Sequence, residues 1–157
     1  VSMDIKEVFN LASADLFIPE LEATNKQDAL IEMVDKLIDS DYQISNRETV
    51  LQTLLSREQL GSTAIGPGVA FPHGRVLATQ DLIIVIARST KGIDFDSTDG
   101  KPTHLIFMLI APPQDGGNQY IGALAALVEK MQEESLRDAF LNADDFDGAF
   151  KALTGED

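Results

Sequence analysis

Two continuous apolar runs in the middle of the chain constrain its fold more than any other feature of the sequence. Leu82–Ala87 and Leu105–Ala111 consist almost wholly of aliphatic residues, and each has the length of a strand. Both are far shorter than the roughly 20 residues that a membrane-spanning helix needs. Strands without polar alternation are typically covered on both faces. The runs therefore predict buried strands over Leu82–Arg88 and Thr103–Ile110.

Amphipathic helices are predicted on both sides of these strands in the sequence. Before them, Thr24-Asn25-Lys26-Gln27 and Ser45-Asn46-Arg47-Glu48 match capping boxes, and apolar residues at helical spacing follow each box. The first of these helices is expected to end near Ser40 and the second before Gly61. After the strands, the spacing of apolar residues predicts three further helices, over residues 121–131, 136–141 and 146–153.

The order of helices, strands and helices predicts an α/β fold with a single mixed β-sheet and helices packed on both faces. Short strands are also predicted at Val69–Phe71 and Ile93–Phe95, with turns at Asp99-Gly100 and at residues 115–118. The sequence contains no internal repeat, low-complexity stretch or linker. We therefore expect residues 1–157 to form one domain, and we leave Val1 and Ser2, which precede Met3, out of the fold prediction.

Charge and cysteine content narrow the classes of function. The net charge is −14, from 26 acidic and 12 basic residues, which argues against binding to nucleic acid or to an anionic membrane surface. The acidity is typical of a soluble protein, and it also suits attraction to a partner with a basic face. The sequence has no cysteine, which excludes disulfides, thiolate catalysis and cysteine metal sites. We expect a cytoplasmic protein without membrane insertion.

The two histidines of the chain are the first candidates for chemistry, because a neutral imidazole is a nucleophile near neutral pH. His73 follows Pro72, which restricts the backbone, and precedes Gly74, which leaves space beside the imidazole. This pattern predicts a short strand that delivers His73 to a sheet edge, and a surface histidine in a turn is the alternative. His104 lies within an apolar strand and is expected to be a half-buried strand residue or one that hydrogen-bonds across the sheet.

A second candidate segment follows the second predicted helix. Arg57 offers planar donors that suit a phosphate group, and Ser62 and Thr63 add hydroxyls beside Gly61. A plain helix end capped by Gly61 would explain the same residues. The chain has no Gly-Lys-Ser/Thr phosphate loop, so nucleotide binding is not indicated.

Together these segments resemble a known family. Arg57-Glu58-Gln59-Leu60-Gly61-Ser62-Thr63, followed by Pro72-His73-Gly74, is similar to the signature of the type 2 enzymes IIA of the phosphotransferase system. That family includes fructose, mannitol and nitrogen-regulatory members, and the similarity extends from about Leu16 to Leu153. It implies the predicted fold, an HPr-type phosphocarrier protein as donor, and no cofactor or metal.

The resemblance also implies the roles of individual residues. His73 would accept the phosphoryl group, while Arg57, Ser62 and Thr63 would stabilise it, and the helix that opens near Asn118 would point N–H groups at it. The family usually carries a second histidine at the position of Tyr120. Tyrosine donates a hydrogen bond but supplies no cation near neutral pH. We therefore predict that His73 is still phosphorylated, with an altered lifetime or onward transfer.

Three functions follow from the resemblance. In the first, a nitrogen-regulatory phosphocarrier changes its binding to regulatory target proteins, such as potassium-transport or sensor proteins, with its phosphorylation state. In the second, a sugar-specific component passes phosphate to an enzyme IIB domain. In the third, a protein-binding module regulates without phosphorylation. The lack of room for IIB or IIC domains and the tyrosine at position 120 favour the first function.

Overall fold

The computed structural model describes residues 4–40, 44, 46–77, 79–114 and 119–155. These residues form one mixed sheet with helices on both faces, which confirms the predicted fold class. The elements are α1 (Ile5–Asn10), β1 (Ala12–Ile18), α2 (Lys26–Ile38), α3 (Arg47–Gln59), β2 (Val69–Ala70), β3 (His73–Arg75), β4 (Ile83–Ile93), β5 (Thr103–Ala111), α4 (Gln119–Lys130), α5 (Glu134–Asn142) and α6 (Phe146–Thr154).

The two predicted buried strands form the centre of the sheet. β4 and β5 are antiparallel neighbours. Parallel strands continue the sheet on each side, with β1 beside β4, and β2 and then β3 beside β5. The prediction of a separate short strand at Ile93–Phe95 is wrong, because β4 continues through an irregularity after Arg88 and ends at Ile93. The polar residues there suggested a break in the strand, but Thr90 and Lys91 are merely exposed along it.

Alternating residues of the central strands supply two hydrophobic cores. On β4, Ile84 and Ile86 belong to a core shared with α1, α4, α5 and α6. Ile83 and Val85 face the opposite core, which is shared with α2 and α3. A period of two is what a pleated strand dictates, and a strand that feeds two cores has no polar face. This is why the two central strands are recognisable in the sequence as unbroken apolar runs.

Helix ends agree with the predictions at the C-terminal side and differ at the N-terminal side. The first capping box places the cap one residue early, because the Asp28 N–H donates to the side chain of Asn25, at 2.9 Å, rather than to Thr24. In the second box Asn46 is the cap and accepts from Thr49, while Ser45 lies outside the described residues. Asparagine caps helices at least as well as serine or threonine.

The remaining predicted elements are largely confirmed. The three C-terminal helices are α4, α5 and α6, and the Asp99-Gly100 turn is closed by the Gly100 N–H, which donates to Ser97 O at 3.0 Å. The turn predicted at residues 115–118, including Asn118, lies outside the described residues. Two N-terminal elements, α1 and β1, were not predicted. None of the described helices is both long and apolar enough to cross a membrane.

Candidate functional site

His73 is the first residue of β3 and pairs with Leu109 of β5. Its ring nitrogen Nδ1 lies 2.7 Å from the carbonyl oxygen of Phe71. A carbonyl oxygen can only accept a hydrogen bond, so Nδ1 carries the proton and Nε2 carries the lone pair. The half-buried imidazole is therefore fixed by the segment just before β3 in the tautomer whose Nε2 lone pair is available. The prediction that a short strand presents this histidine is confirmed.

Tyr120 and Arg75 lie on the same side of the sheet as His73. The ring centroids of His73 and Tyr120 are 6.0 Å apart. Arg75 stands two residues after His73 on β3 and so points to the same face. The guanidinium carbon of Arg75 lies 4.8 Å from the centroid of the Tyr120 ring, and its Nη1 donates to Pro112 O at 3.0 Å. Arg75 was missed in the sequence, although the two-residue spacing from His73 is a signal for it.

Tyr120 is a buried, neutral hydrogen-bond donor. Burial raises the pKa of the Tyr120 phenol, and the charges of Arg75 and Arg57 act against that rise. The phenol therefore keeps its proton near neutral pH. Arg57, at the end of α3, and Arg75, on β3, thus both favour the charged form of the same phenol.

Arg57 lies in the last turn of α3, and its side chain is half-buried. Its Nη1 donates to the carbonyl oxygen of Gly61 at 2.8 Å. This bond ties the end of the helix to the loop that begins at Gly61, and it leaves further N–H donors of the guanidinium for a ligand.

Ser62 and Thr63 lie in this loop, with their hydroxyl groups directed into the protein. Ser62 Oγ donates to Phe95 O at 2.6 Å, and Thr63 Oγ1 donates to Glu58 Oε2 at 2.6 Å. A hydroxyl has a single hydrogen to donate, and in both residues that hydrogen serves an internal bond. Ser62 and Thr63 therefore hold the loop beside the site, and a direct contact with a phosphoryl group would need either hydroxyl to turn.

Glu58 is a buried carboxylate that organises the same loop, and sequence reasoning missed its role. Its Oε1 accepts from the Thr63 N–H at 3.1 Å, while Oε2 accepts the Thr63 hydroxyl. Lys26 Nζ, at the start of α2, lies 3.3 Å from Oε1 and 3.2 Å from Asp96 Oδ2. A glutamate near a helix end is ordinarily exposed, so no local pattern marked it.

Gly74 serves a different purpose from the one its sequence suggests. A Cβ at this position would lie 2.8 Å from Cγ2 of Thr53 on α3. The missing side chain therefore lets α3 pack directly on β3. It does not open a path to the imidazole of His73, and that expectation is corrected.

His104 lies outside the site. Its Nδ1 donates to Ser89 O across the sheet at 2.8 Å, which confirms the predicted structural bond. His104 is five residues along β5 from Leu109, the partner of His73, or roughly 16 Å at about 3.3 Å per residue. The two histidines are thus too far apart to hold one metal ion.

The fold and the site together define a class of protein. It is a mixed-sheet fold in which a short strand paired with β5 carries a histidine with an unprotonated Nε2, and the charges of two arginines act on the tyrosine beside that histidine. Such an arrangement suits transfer of an anionic group between proteins.

Comparison with known proteins identifies the family within this class. The family model for "Phosphoenolpyruvate-dependent sugar phosphotransferase system, EIIA 2" matches residues 10–155. A nitrogen regulatory protein of Bradyrhizobium diazoefficiens is 34% identical over 129 residues, which are 82% of each chain. A fructose-specific EIIA component of the phosphotransferase system of Haloferax volcanii is 31% identical over 142 residues, 90% of this chain and 91% of that protein. The chain belongs to the type 2 EIIA family of the phosphotransferase system.

A solved structure supports the same assignment. The crystal structure of the nitrogen regulatory protein IIA-Ntr from Neisseria meningitidis superposes with a TM-score of 0.85 and 27% identity. The match covers 94% of this chain and 99% of that one. Relatives with nitrogen-regulatory and with sugar-specific names are thus both similar to this chain over most of its length.

Proposed function

We propose that this chain is a phosphocarrier of the nitrogen-regulatory type, which accepts a phosphoryl group on Nε2 of His73 from an HPr-type carrier. One observation carries the choice of atom. The bond from Nδ1 to Phe71 O leaves Nε2 as the ring nitrogen with a lone pair. The nitrogen-regulatory type is supported by the relatives from Bradyrhizobium and Neisseria. The proposal includes a cytoplasmic location, because the phosphoenolpyruvate of the family's name is a metabolite of the cell interior.

The transfer needs one bond to form and one to break. His73 Nε2 attacks the phosphorus of the donor's phosphohistidine in line, and the donor's N–P bond breaks as the new N–P bond forms. The carbonyl oxygen of Phe71 stabilises the positive charge that the imidazole gains. Arg57 and the Tyr120 hydroxyl stabilise the equatorial phosphoryl oxygens. Ser62 and Thr63 act through the loop that they hold.

The direct test follows the mass of the protein. The protein and a His73→Ala variant are incubated with phosphoenolpyruvate, enzyme I and either a nitrogen-branch or a sugar-branch HPr-type carrier. We expect a gain of one phosphoryl group in the wild type, lost in acid and absent in the variant. Phosphorus NMR should place the group on Nε2 rather than Nδ1. No gain with either carrier, or a gain that His73→Ala retains, would overturn the proposal.

A sugar-specific function is the second candidate, and the fructose-specific relative supports it. In that case phosphorylated protein would pass its group to an enzyme IIB domain. The two functions predict different donors, because a nitrogen-regulatory protein should be phosphorylated faster by the nitrogen-branch carrier. A faster reaction with the sugar-branch carrier would favour the second candidate. A module that is never phosphorylated is disfavoured by the nucleophilic tautomer of His73.

Exposed apolar side chains on the segments that carry the site residues support a protein as the donor. Leu60 is 85% exposed next to Gly61, and Leu77 is 87% exposed two residues after Arg75. Ile65 and Ile121, which follow Thr63 and Tyr120 closely in the chain, are also exposed. Large apolar side chains that stay exposed on the segments carrying the site residues are typical of a surface that docks another protein.

Replacing Leu60 and Leu77 together by glutamine is expected to slow phosphorylation by the carrier about tenfold. Each substitution should remove somewhat less than about 1 kcal/mol of the free energy of docking. Stability should be unchanged, since both side chains are exposed in the free protein. Initial rates at low carrier concentration measure the effect. Leu141→Gln is the control, an exposed leucine on α5, a helix that carries none of the site residues. Equal rates for the double variant and this control would contradict the docking role.

A further inference from the structure

Arg75 is held by two contacts on the face of β3 that carries His73. Its Nη1 donates to the carbonyl oxygen of Pro112 at 3.0 Å, which fixes the guanidinium at the end of β5. The guanidinium carbon then lies 4.8 Å from the centroid of the Tyr120 ring, within the range of a cation–π interaction. Tyr120 also lies beside the imidazole of His73, and the two ring centroids are 6.0 Å apart.

We propose that Arg75 is a positioning residue for phosphoryl transfer and that it acts on the phosphoryl group through Tyr120. This inference rests on the proposed function. Its guanidinium keeps the Tyr120 ring beside His73, and its charge makes the phenol a stronger hydrogen-bond donor to a phosphoryl oxygen. A cation near a phenol draws electron density from the hydroxyl, and hydrogen bonds to an anion gain most from such polarisation.

The electrostatics of Tyr120 support this assignment. Burial raises the pKa of the phenol, and the charge of Arg75 comes next in size and lowers it, followed by that of Arg57. The effect of Arg75 therefore reaches the hydroxyl and is not confined to packing against the ring. An arginine remains protonated at every pH at which proteins are folded, whereas a histidine titrates near pH 6.5. The pair Arg75–Tyr120 thus gives the site a charge-assisted donor.

Three substitutions of Arg75 and Tyr120 separate charge from packing. Arg75→Met keeps an unbranched apolar stem without charge, and Arg75→Lys keeps the charge without the planar fork. We expect Arg75→Met to slow phosphorylation of His73 about fivefold, as loss of a partly exposed cation–π contact implies, and Arg75→Lys to recover part of the rate. In the Tyr120→Phe background, Arg75→Met should have little further effect, because the group through which it acts is gone. Far-UV circular dichroism and thermal unfolding check that each variant is folded.

A second measurement does not depend on phosphorylation. The sequence has two tyrosines, Tyr42 and Tyr120, so a Tyr42→Phe variant reports Tyr120 alone by absorbance. Incorporation of 3-fluorotyrosine, whose phenol is more acidic, keeps the titration in the folded range. Removing the Arg75 charge should raise the pKa of this tyrosine, and lysine should restore it in part.

The outcomes decide between the alternatives. Equal rates for wild type and Arg75→Met, or a loss that persists in full in the Tyr120→Phe background, would overturn the inference and leave Arg75 with a packing role. A Tyr120 titration unmoved by Arg75→Met would overturn it as well. A wild-type protein that no carrier phosphorylates would overturn the proposed function instead, and the titration would still decide whether Arg75 acts on the phenol.

Discussion

Replacing Glu58 by alanine is expected to lower the free energy of unfolding by about 3 kcal/mol, the lower end of the cost of breaking a buried ion pair. The Glu58 side chain is 4% exposed and that of Lys26 is 16% exposed, so both charges are largely removed from water. Without the carboxylate, Lys26 keeps the exposed Asp96 and the Phe95 ring, whose centroid is 5.3 Å from Nζ, and the buried N–H and hydroxyl of Thr63 lose their acceptors. For a chain of this length the melting temperature should fall by roughly 6–12 °C.

The matched control is an exposed ion pair of the same protein. Asp35 lies against Arg47 at the start of α3, and both side chains are more than a third exposed. Asp35→Ala should therefore cost only about 0–1 kcal/mol. Glu58→Gln, which keeps the shape and one acceptor, should fall between the two alanine variants. If calorimetry or urea unfolding gives the same loss for Glu58→Ala and Asp35→Ala, Glu58 does not hold the loop as described.

Replacing Arg57 by alanine is expected to reduce the rate of phosphorylation by roughly 10²–10³-fold, the usual cost of removing one donor that stabilises a transferring group. The guanidinium acts on the Tyr120 phenol from the end of α3 and also holds Gly61 O at 2.8 Å. Its removal therefore takes away a charge and loosens the loop. Arg57→Lys should retain the charge but lose the planar fork, and so recover only part of the rate.

Time courses of the intact mass measure these rates, and stability separates the two contributions. Because Arg57 is half-exposed, the loss of unfolding free energy should stay near 1 kcal/mol, the size of one hydrogen bond. Arg47→Ala, a change of the same residue type in the first turn of the same helix, is the control. Arg57→Ala with the phosphorylation rate of Arg47→Ala would exclude Arg57 from the site.

Helices and strands with a clear local pattern of apolar residues were predicted from the sequence. Those whose position depends on contacts with other elements were not. β4 and β5 feed two cores and so read as apolar runs, whereas β1 lies at the edge of the sheet and mixes exposed polar residues with its two buried ones, Leu16 and Phe17. The extension of β4 to Ile93 was missed because the exposed residues of its irregular segment resemble a turn.

The site shows the same division between local and distant information. His73 and Arg57 lie in motifs that can be recognised along the chain. The parts played by Glu58 and Arg75 depend on Lys26 and Pro112, each more than 30 residues away. The inward direction of the Ser62 and Thr63 hydroxyls likewise depends on Phe95 and Glu58. No spacing rule contains these contacts, because they exist only once the sheet and α3 are assembled.

The contact between α3 and β3 at Gly74 sets the distance between the site residues on the strand and those on the helix. β3 carries His73 and Arg75, while the last turns of α3 carry Arg57 and the buried Glu58. Because Thr53 of α3 packs where a Cβ of residue 74 would stand, the distance between α3 and β3 is set by close van der Waals packing and not by flexible polar side chains. We therefore expect changes of side-chain volume between α3 and β3 to alter the rate of phosphoryl transfer, even where they lie far from the phosphoryl group.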